Sequence, residues 1–296
     1  MATAAMTTTQ AYEVIVIGGS FAGLSAAMQL ARARRRVCVV DAGQPRNRFA
    51  AASHGFFGQD GEPPLAMIEQ ARRKLAAYPT VVFVQGTVVS ATAQQRAGSP
   101  ENGFEVVLDD GATLEAHKLV LAFGVQDGLP EIAGLRERWG ASVLHCPYCH
   151  GYEFAGQRLG VLYHSAGSAM HAQLIADWGP TTLFLNGDTT LESAERERLL
   201  ALGITIEPAP IAALEGLGQA LQAVRLHATS GGDALVVPLD ALYVAATTRP
   251  ASPLAEQLGC AFDDGPMGPY IRTDANKMTT VPGVYAAGDL TLMRHN

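Results

Sequence analysis

Glu13-Val14-Ile15-Val16-Ile17-Gly18-Gly19-Ser20-Phe21-Ala22-Gly23-Leu24-Ser25-Ala26-Ala27 sets the class to which this chain belongs. Tyr12 to Ile17 is a short β-branched run, the turn Gly18 to Gly23 breaks it, and the alanine-rich segment Leu24 to Arg34 then reads as a helix. A second apolar strand, Arg36 to Val40, ends in Asp41, eighteen residues past Gly23. This order of strand, glycine turn, helix, strand and acid opens an α/β fold with a parallel sheet. Gly18 and Gly23 take the first and third positions of the dinucleotide fingerprint, and the small Ser20 takes the second, where backbone comes closest to a pyrophosphate. A strand-to-helix turn without ligand is the competing reading of the glycines alone. Asp41 weighs against it, because its carboxylate is placed to accept hydrogen bonds from a ribose while the helix presents its amide end to a diphosphate.

Outward from this unit, Leu65 to Tyr78 carries apolar residues near helical spacing, and strands are expected at Val81 to Gln85, Phe104 to Leu108 and Leu119 to Phe123, with the first domain ending near Gly124. Arg158 to Tyr163, Ser168 to Trp178 and Thr181 to Leu185 repeat the opening strand-helix-strand order. Strands at Thr205 to Glu207, Ala223 to His227, Ala234 to Pro238 and Leu242 to Ala246 suggest a small sheet in the middle third. Thr247 to Pro253 reads as loop, and a strand Val284 to Ala286 runs into Gly288-Asp289. The expected division is 1–124, 125–246 and 247–296, with the two outer segments in one domain.

Length and composition suit that reading. The 296 residues are enough for two compact domains, and 48% apolar against 17% charged residues supplies a large core and excludes disorder as the main state. The net charge of −7, with no basic block beyond Arg32 to Arg36, gives a nucleic-acid partner little electrostatic support. The first thirteen residues carry no Lys or Arg and the following apolar run is short, so neither a signal peptide nor a membrane span is expected, and the location read from this is cytoplasmic.

Of four cysteines, at 38, 146, 149 and 260, only Cys146-Pro147-Tyr148-Cys149 lie together. Two thiols separated by two residues can close a disulfide, and a cysteine at a helix start or beside a cation has its pKa drawn from ~8.5 toward ~7. Half a zinc site and a pair of core cysteines are the alternatives. Zinc needs four ligands, Cys38 and Cys260 stand alone as small buried residues, and His145 and His150 abut the pair in crowded geometry. No metal is expected. His150, next to the second cysteine, suits a proton shuttle to a departing thiolate, with a structural histidine as the other reading.

The order of fingerprint, Asp41, Cys146-Pro147-Tyr148-Cys149-His150-Gly151-Tyr152-Glu153 and Gly283-Val284-Tyr285-Ala286-Ala287-Gly288-Asp289 resembles the low-molecular-weight thioredoxin reductase branch of the FAD-dependent disulfide oxidoreductases. The resemblance spans nearly the whole chain. It implies two Rossmann-like, three-layer nucleotide-binding domains, with FAD held by the outer segments and the cysteines carried by a central nicotinamide-nucleotide-like domain, in a homodimer. Carried over, Gly18, Ser20 and Gly23 hold the FAD diphosphate, Asp41 its adenosine ribose and Asp289, after Gly288, the ribityl chain. Arg48, His54, Val88 and Gly124 join the cofactor-binding set, Gly124 closing a Leu121-Ala122-Phe123-Gly124 segment like the one that leads to the family's hinge. Cys149 would face the flavin, Cys146 would exchange with substrate, and His150 falls where the family places an acidic proton donor.

Three departures refine the expectation. The second turn reads Tyr163-His164-Ser165-Ala166-Gly167-Ser168, with Tyr163 and Ser165 crowding a place that needs glycine. Where NADPH users of this branch carry a His-Arg-Arg cluster for the 2′-phosphate, this chain has Asn186-Gly187-Asp188. Two missing charge-assisted hydrogen bonds weaken binding by ~3–6 kcal/mol, or roughly 10² to 10⁴-fold. The sequence also stops seven residues past Asp289, where the family continues into a helix, so a further tail is expected.

The string Cys-Pro-Tyr-Cys-His-Gly-Tyr-Glu, the altered nucleotide motifs and the loops Gln44 to Phe49 and Ser53 to Gly58 are similar to the dithiol oxidases of gliotoxin, holomycin and romidepsin biosynthesis. That resemblance implies an FAD-dependent dithiol oxidase closing a disulfide in a small-molecule dithiol, with oxygen as acceptor. A thioredoxin reductase-like enzyme using NADPH or another donor, and a non-catalytic flavoprotein redox sensor, are the alternatives.

Overall fold

The computed structural model describes residues 11–95, 102–228 and 235–293. They form two compact units, one of Met1–Arg48, Leu65–Asp127 and Thr248–Asn296, the other of Phe49–Pro64 and Gly128–Thr247.

In the first unit, Ala11–Ile17 pairs in parallel with Val37–Asp41 on one side and Thr113–Leu121 on the other. Val81–Gln85 extends the sheet beyond Val37–Asp41, and Val284–Ala286 pairs with Thr113–Leu121. Val88–Gln95 and Asn102–Leu108 add an antiparallel meander on the same strand, for seven strands in all. From Val14 to Ile17 the opening strand is an unbroken apolar run, as suits a strand buried on both faces. Ile15 and Ile17 pack with Phe104, Leu119 and Leu121, while Val14 and Val16 pack with Leu24, Ala27 and Ala31 of the helix Phe21–Arg32. Each such side chain contributes roughly 1.5–3 kcal/mol by leaving water. The register sets Ile17 beside Val40 and Leu121, so the turn after Ile17, the acid after Val40 and the turn after Leu121 emerge at one sheet edge.

The second unit carries a parallel five-stranded sheet ordered Thr205–Glu207, Thr181–Phe184, Leu159–Leu162, Ala241–Tyr243, Val143–Leu144. Helix Ala166–Ile175 covers one face through Ala169, Ala172 and Ile175, which pack with Leu144, Val161 and Tyr243. The other face, with Val143, Leu162 and Leu242, packs on the antiparallel sheet Ile211–Glu215, Ala223–Leu226, Val236–Pro238.

Several expectations change here. Thr205–Glu207 and Ala241–Tyr243 join the parallel sheet rather than the small one. Thr247–Pro250 is a strand pairing with Val125–Gly128, not a loop. Ala234, expected to begin a strand, lies outside the described residues. Segment 49–64, expected in the first domain, groups with the second unit, where Phe49 Cβ packs against Gly140. Helix Ser193–Ala201 escaped sequence reading because, of its residues, only Leu199 is buried. No helix among the described residues is long and apolar enough to cross a membrane.

Candidate cofactor cradle and redox site

The first turn is built without room for side chains. Gly18 has φ +105°, and a Cβ there would meet the Ala122 carbonyl oxygen at 2.3 Å; one on Gly23 would lie 1.8 Å from the Gly18 carbonyl oxygen. The backbone therefore packs into a shallow cradle at the start of helix Phe21–Arg32, whose N-cap Ser20 makes no side-chain capping bond. The amino end of a helix, where backbone N–H groups and the dipole favour negative charge, suits a diphosphate. Asp41 closes the cradle by accepting from the Gly19 amide at 3.1 Å through Oδ1 and from Arg72 Nη1 at 3.2 Å through Oδ2.

Asp289 and Gly288 follow the strand Val284–Ala286, and Gly288 approaches Ala22 so closely that a Cβ would lie 2.7 Å from that methyl. Arg46 holds Asp289 Oδ2 at 2.9 Å and Asp127 Oδ1 at 2.6 Å. Burial opposes the Arg46 charge, but Asp127 and then Asp289 outweigh it and hold the guanidinium firmly ionised. Gly124 turns with φ +73° and its carbonyl accepts from Ala251 N at 3.0 Å. Arg48 folds back on the Pro45 carbonyl at 2.9 Å. The Val88 side chain is buried in the core, which leaves only its backbone for a ligand. Arg46 and Arg72 carry no local sequence pattern that marks them as site residues. Their signal was a lone arginine facing an acid 81 or 31 residues away, visible only after folding.

The second turn is chemically the opposite. Ser168 Oγ accepts from the amides of His164 at 3.0 Å and Ser165 at 3.4 Å, so the two amides that lead into helix Ala166–Ile175 are engaged within the chain. The expected crowding by Tyr163 does not occur: its ring is buried in the core and its hydroxyl meets Thr190 Oγ1 at 3.3 Å. The loop after Thr181–Phe184 carries Asp188, whose Oδ1 takes the Thr190 amide and hydroxyl, each at 2.6 Å. Those bonds hold the exposed carboxyl below its usual range and ionised.

The cysteine pair begins the short helix Pro147–His150, with Cys146 as an extended N-cap and Pro147 at its first position. Gly151 follows because a Cβ there would lie 2.5 Å from the Pro147 carbonyl oxygen and 2.8 Å from the Trp178 ring. The Cys146 thiol is held down to about 6, first by a hydrogen bond from Cys149 and, against burial, by the amides of Cys149 and Tyr148. Burial pushes the His150 pKa down, Glu153 opposing and His54 adding to the shift. His54, expected beside the cofactor, is placed in the second unit with its Nε2 3.4 Å from Glu153 and its Nδ1 3.5 Å from Asp60. Two histidines and Glu153 therefore share the surroundings of the pair. Cys38 and Cys260 are buried, and burial pushes the Cys38 thiol up to about 11 and raises Cys260. Among the described residues, no group of three or more His, Cys, Asp or Glu is placed to hold a metal.

A model of the pyridine nucleotide-disulphide oxidoreductases matches residues 12–296. Thioredoxin reductase tcpT of Claviceps purpurea is 31% identical, over 98% of this chain and 90% of its own. An oxidoreductase from Agrobacterium tumefaciens is similar in structure at a TM-score of 0.87 and 43% identity, covering 97% of this chain and 92% of that one. HlmI gives a TM-score of 0.87 at 36% identity, over 97% and 88%.

Proposed function

Because the chain belongs to the pyridine nucleotide-disulphide oxidoreductase family, in its thioredoxin reductase-like branch, and is an FAD-dependent oxidoreductase, we propose that it works as a dithiol oxidase on a small-molecule dithiol, a natural-product precursor being the class that fits. One thiolate of the substrate attacks Cys146 Sγ, the Cys146–Cys149 bond breaks, and Cys149 leaves as a thiolate. His150, kept neutral by burial, takes the proton from the second substrate thiol. That sulfur attacks its partner in the mixed disulfide, the substrate disulfide closes, and Cys146 departs as a thiolate. FAD held beside the pair would supply the two-electron redox chemistry that returns the reduced cysteines to the disulfide, with oxygen as the final acceptor. Gly18, Ser20, Gly23, Asp41, Gly124, Gly288 and Asp289 are the proposed holders of FAD, with backbone from Val88 and the loop of Arg48.

The observation that carries this reading is the second turn, where Ser168 engages the amides and Asp188 opposes a 2′-phosphate. Oxygen needs no such site. Exposed Tyr148 and Tyr152 beside the pair, Tyr148 edge-on to Trp178 at 5.7 Å, suit a small apolar dithiol. In anaerobic solution dithiothreitol should bleach the flavin, air should restore it with peroxide formed, and millimolar NADPH should bleach it poorly. Rapid stoichiometric bleaching by NADPH with an air-stable product restores the reductase; no turnover with any dithiol points to a sensor. In the reduced enzyme, Cys146 alkylation by iodoacetamide should rise with pH to half its maximum near pH 6, as the thiol gives way to thiolate. Cys146→Ser should lower dithiol turnover by at least about 10³-fold, since the nucleophilic step has no substitute.

A further inference from the structure

Arg72 has no part in the steps above, and it occupies an unusual place for a charged residue. Helix Pro64–Ala76 packs on the sheet face that holds Val37 and Val39, through Ile68, Ala71 and Leu75. Arg72, four residues past Ile68 and three before Leu75, falls on that same stripe, whereas its neighbours Arg73 and Lys74 are exposed. The strand pairing explains where its side chain goes. Phe83 lies beside Val39 and Gln85 beside Asp41, so Asp41 leaves the strand end on the Val39 face, where the helix packs. The Arg72 guanidinium carbon stands over the Phe83 ring, 4.9 Å from its centre, and Nη1 reaches Asp41 Oδ2 at 3.2 Å.

The Arg72 and Asp41 side chains are 27% and 14% exposed, and an ion pair open to water to that extent adds little to stability. Its yield is geometric. The last torsion of an aspartate is soft, so a single hydrogen bond leaves the carboxylate free to swing. Here the Gly19 amide holds Oδ1 at 3.1 Å while Arg72 holds Oδ2, and two anchors on two oxygens set the plane of the group. The turn closes over it as well, since a Cβ on Gly19 would meet the Asp41 carboxyl carbon at 2.8 Å. A carboxylate offers about four acceptor positions, two on each oxygen, so each oxygen keeps capacity for a further donor.

We propose that Arg72 is a positioning residue of the cofactor cradle, which, with Phe83 beneath it, aims the Asp41 carboxylate at the adenosine ribose hydroxyls of FAD. A carboxylate aimed before the ligand arrives loses no freedom when the hydroxyls bind, so their hydrogen bonds count in full toward affinity. The inference rests on the ribose role proposed for Asp41.

The test measures what the two hydroxyls contribute. FAD-loaded, full-length protein is equilibrated with an excess of equal amounts of FAD and of an analogue whose adenosine ribose lacks both hydroxyls, and the ratio bound is read by mass spectrometry after gel filtration. The parent should prefer FAD about tenfold, the low end for hydrogen bonds to a charged acceptor. Arg72→Met, which keeps an unbranched stem over Phe83, should cut the preference to about threefold or less. General damage to the cradle weakens both flavins alike and leaves the ratio unchanged, so a tenfold preference in Arg72→Met overturns the proposal. If that variant does not fold or holds no flavin, Arg72→Lys decides, because it keeps the cation without the planar group that lies on the ring. A fall to about threefold supports the proposal, and the parent's preference overturns it. Failure of the Asp41 reading is seen separately, as a parent that binds both flavins equally or an Asp41→Ala variant that keeps the full preference; either result removes the ribose role and the proposal with it.

Discussion

Two turns in this chain leave a parallel strand and enter a helix, and they have opposite endings. At Gly18 and Gly23 the backbone packs so closely that a Cβ is excluded, and the helix N-cap Ser20 makes no side-chain capping bond. At His164 to Ser168 a serine side chain turns back and engages two amides itself. The acid after the following strand also differs. Asp41 is tied to the turn by the Gly19 amide and to Arg72, while Asp188 accepts its hydrogen bonds from Thr190 in its own loop. One topology therefore carries a close-packed glycine turn in one unit and a serine turn that engages its own amides in the other.

The largest expected effect tests the cradle itself. Gly23→Ala places a Cβ 1.8 Å from the Gly18 carbonyl oxygen, whereas Gly167→Ala meets nothing closer than Ser165 Oγ at 3.5 Å. FAD per chain, read from absorbance of the purified proteins, should fall more than about tenfold for Gly23→Ala, the loss expected when a backbone approach cannot be made. Gly167→Ala should retain the parent's FAD content. Equal retention in both breaks the contrast.

The acids should separate next. Asp41→Ala removes a charged acceptor from the ribose position and should weaken FAD binding by about 10- to 100-fold, measured by ultrafiltration. Asp188→Arg replaces the opposing charge in the second unit and should leave FAD content unchanged while raising the rate of NADPH bleaching no more than about tenfold, because the turn amides remain engaged. A large gain from Asp188→Arg alone would mean that charge, not the capped turn, keeps NADPH out.

Much of this contrast is legible from residues alone. The glycines, Asp41, the Cys146–Cys149 spacing and the polar second turn all stand in local sequence, where steric need and chemistry are short-range. The mechanism of the second turn is not. Tyr163 looks obstructive beside the turn, but it follows the strand Leu159–Leu162 with its ring in the core; the group that engages the amides is the Ser168 hydroxyl. The partner of His54 is hidden in the same way, since only folding brings its ring to Glu153, 99 positions away. Arg46 and Arg72 share that difficulty, since a single arginine carries no local signature and acquires its acid partner only on folding.

The smallest effect is the most direct test of self-capping. If Ser168 Oγ serves the amides of His164 and Ser165 as a helix cap, Ser168→Ala removes the acceptor and leaves buried space the size of a hydroxyl. Loss of such a cap costs about 1 kcal/mol, which in a chain of this size lowers the melting temperature by about 2–4 °C. FAD content should not change, because the cradle lies in the other unit. The freed amides should then be able to receive a diphosphate, so NADPH or ADP should protect Ser168→Ala against heating where it does not protect the parent. A variant as stable as the parent means the serine caps nothing. A destabilised variant that ADP and NADPH still fail to protect means the turn lacks room for a diphosphate even when its donors are free, and the absent glycines, rather than the engaged amides, separate the second turn from the first.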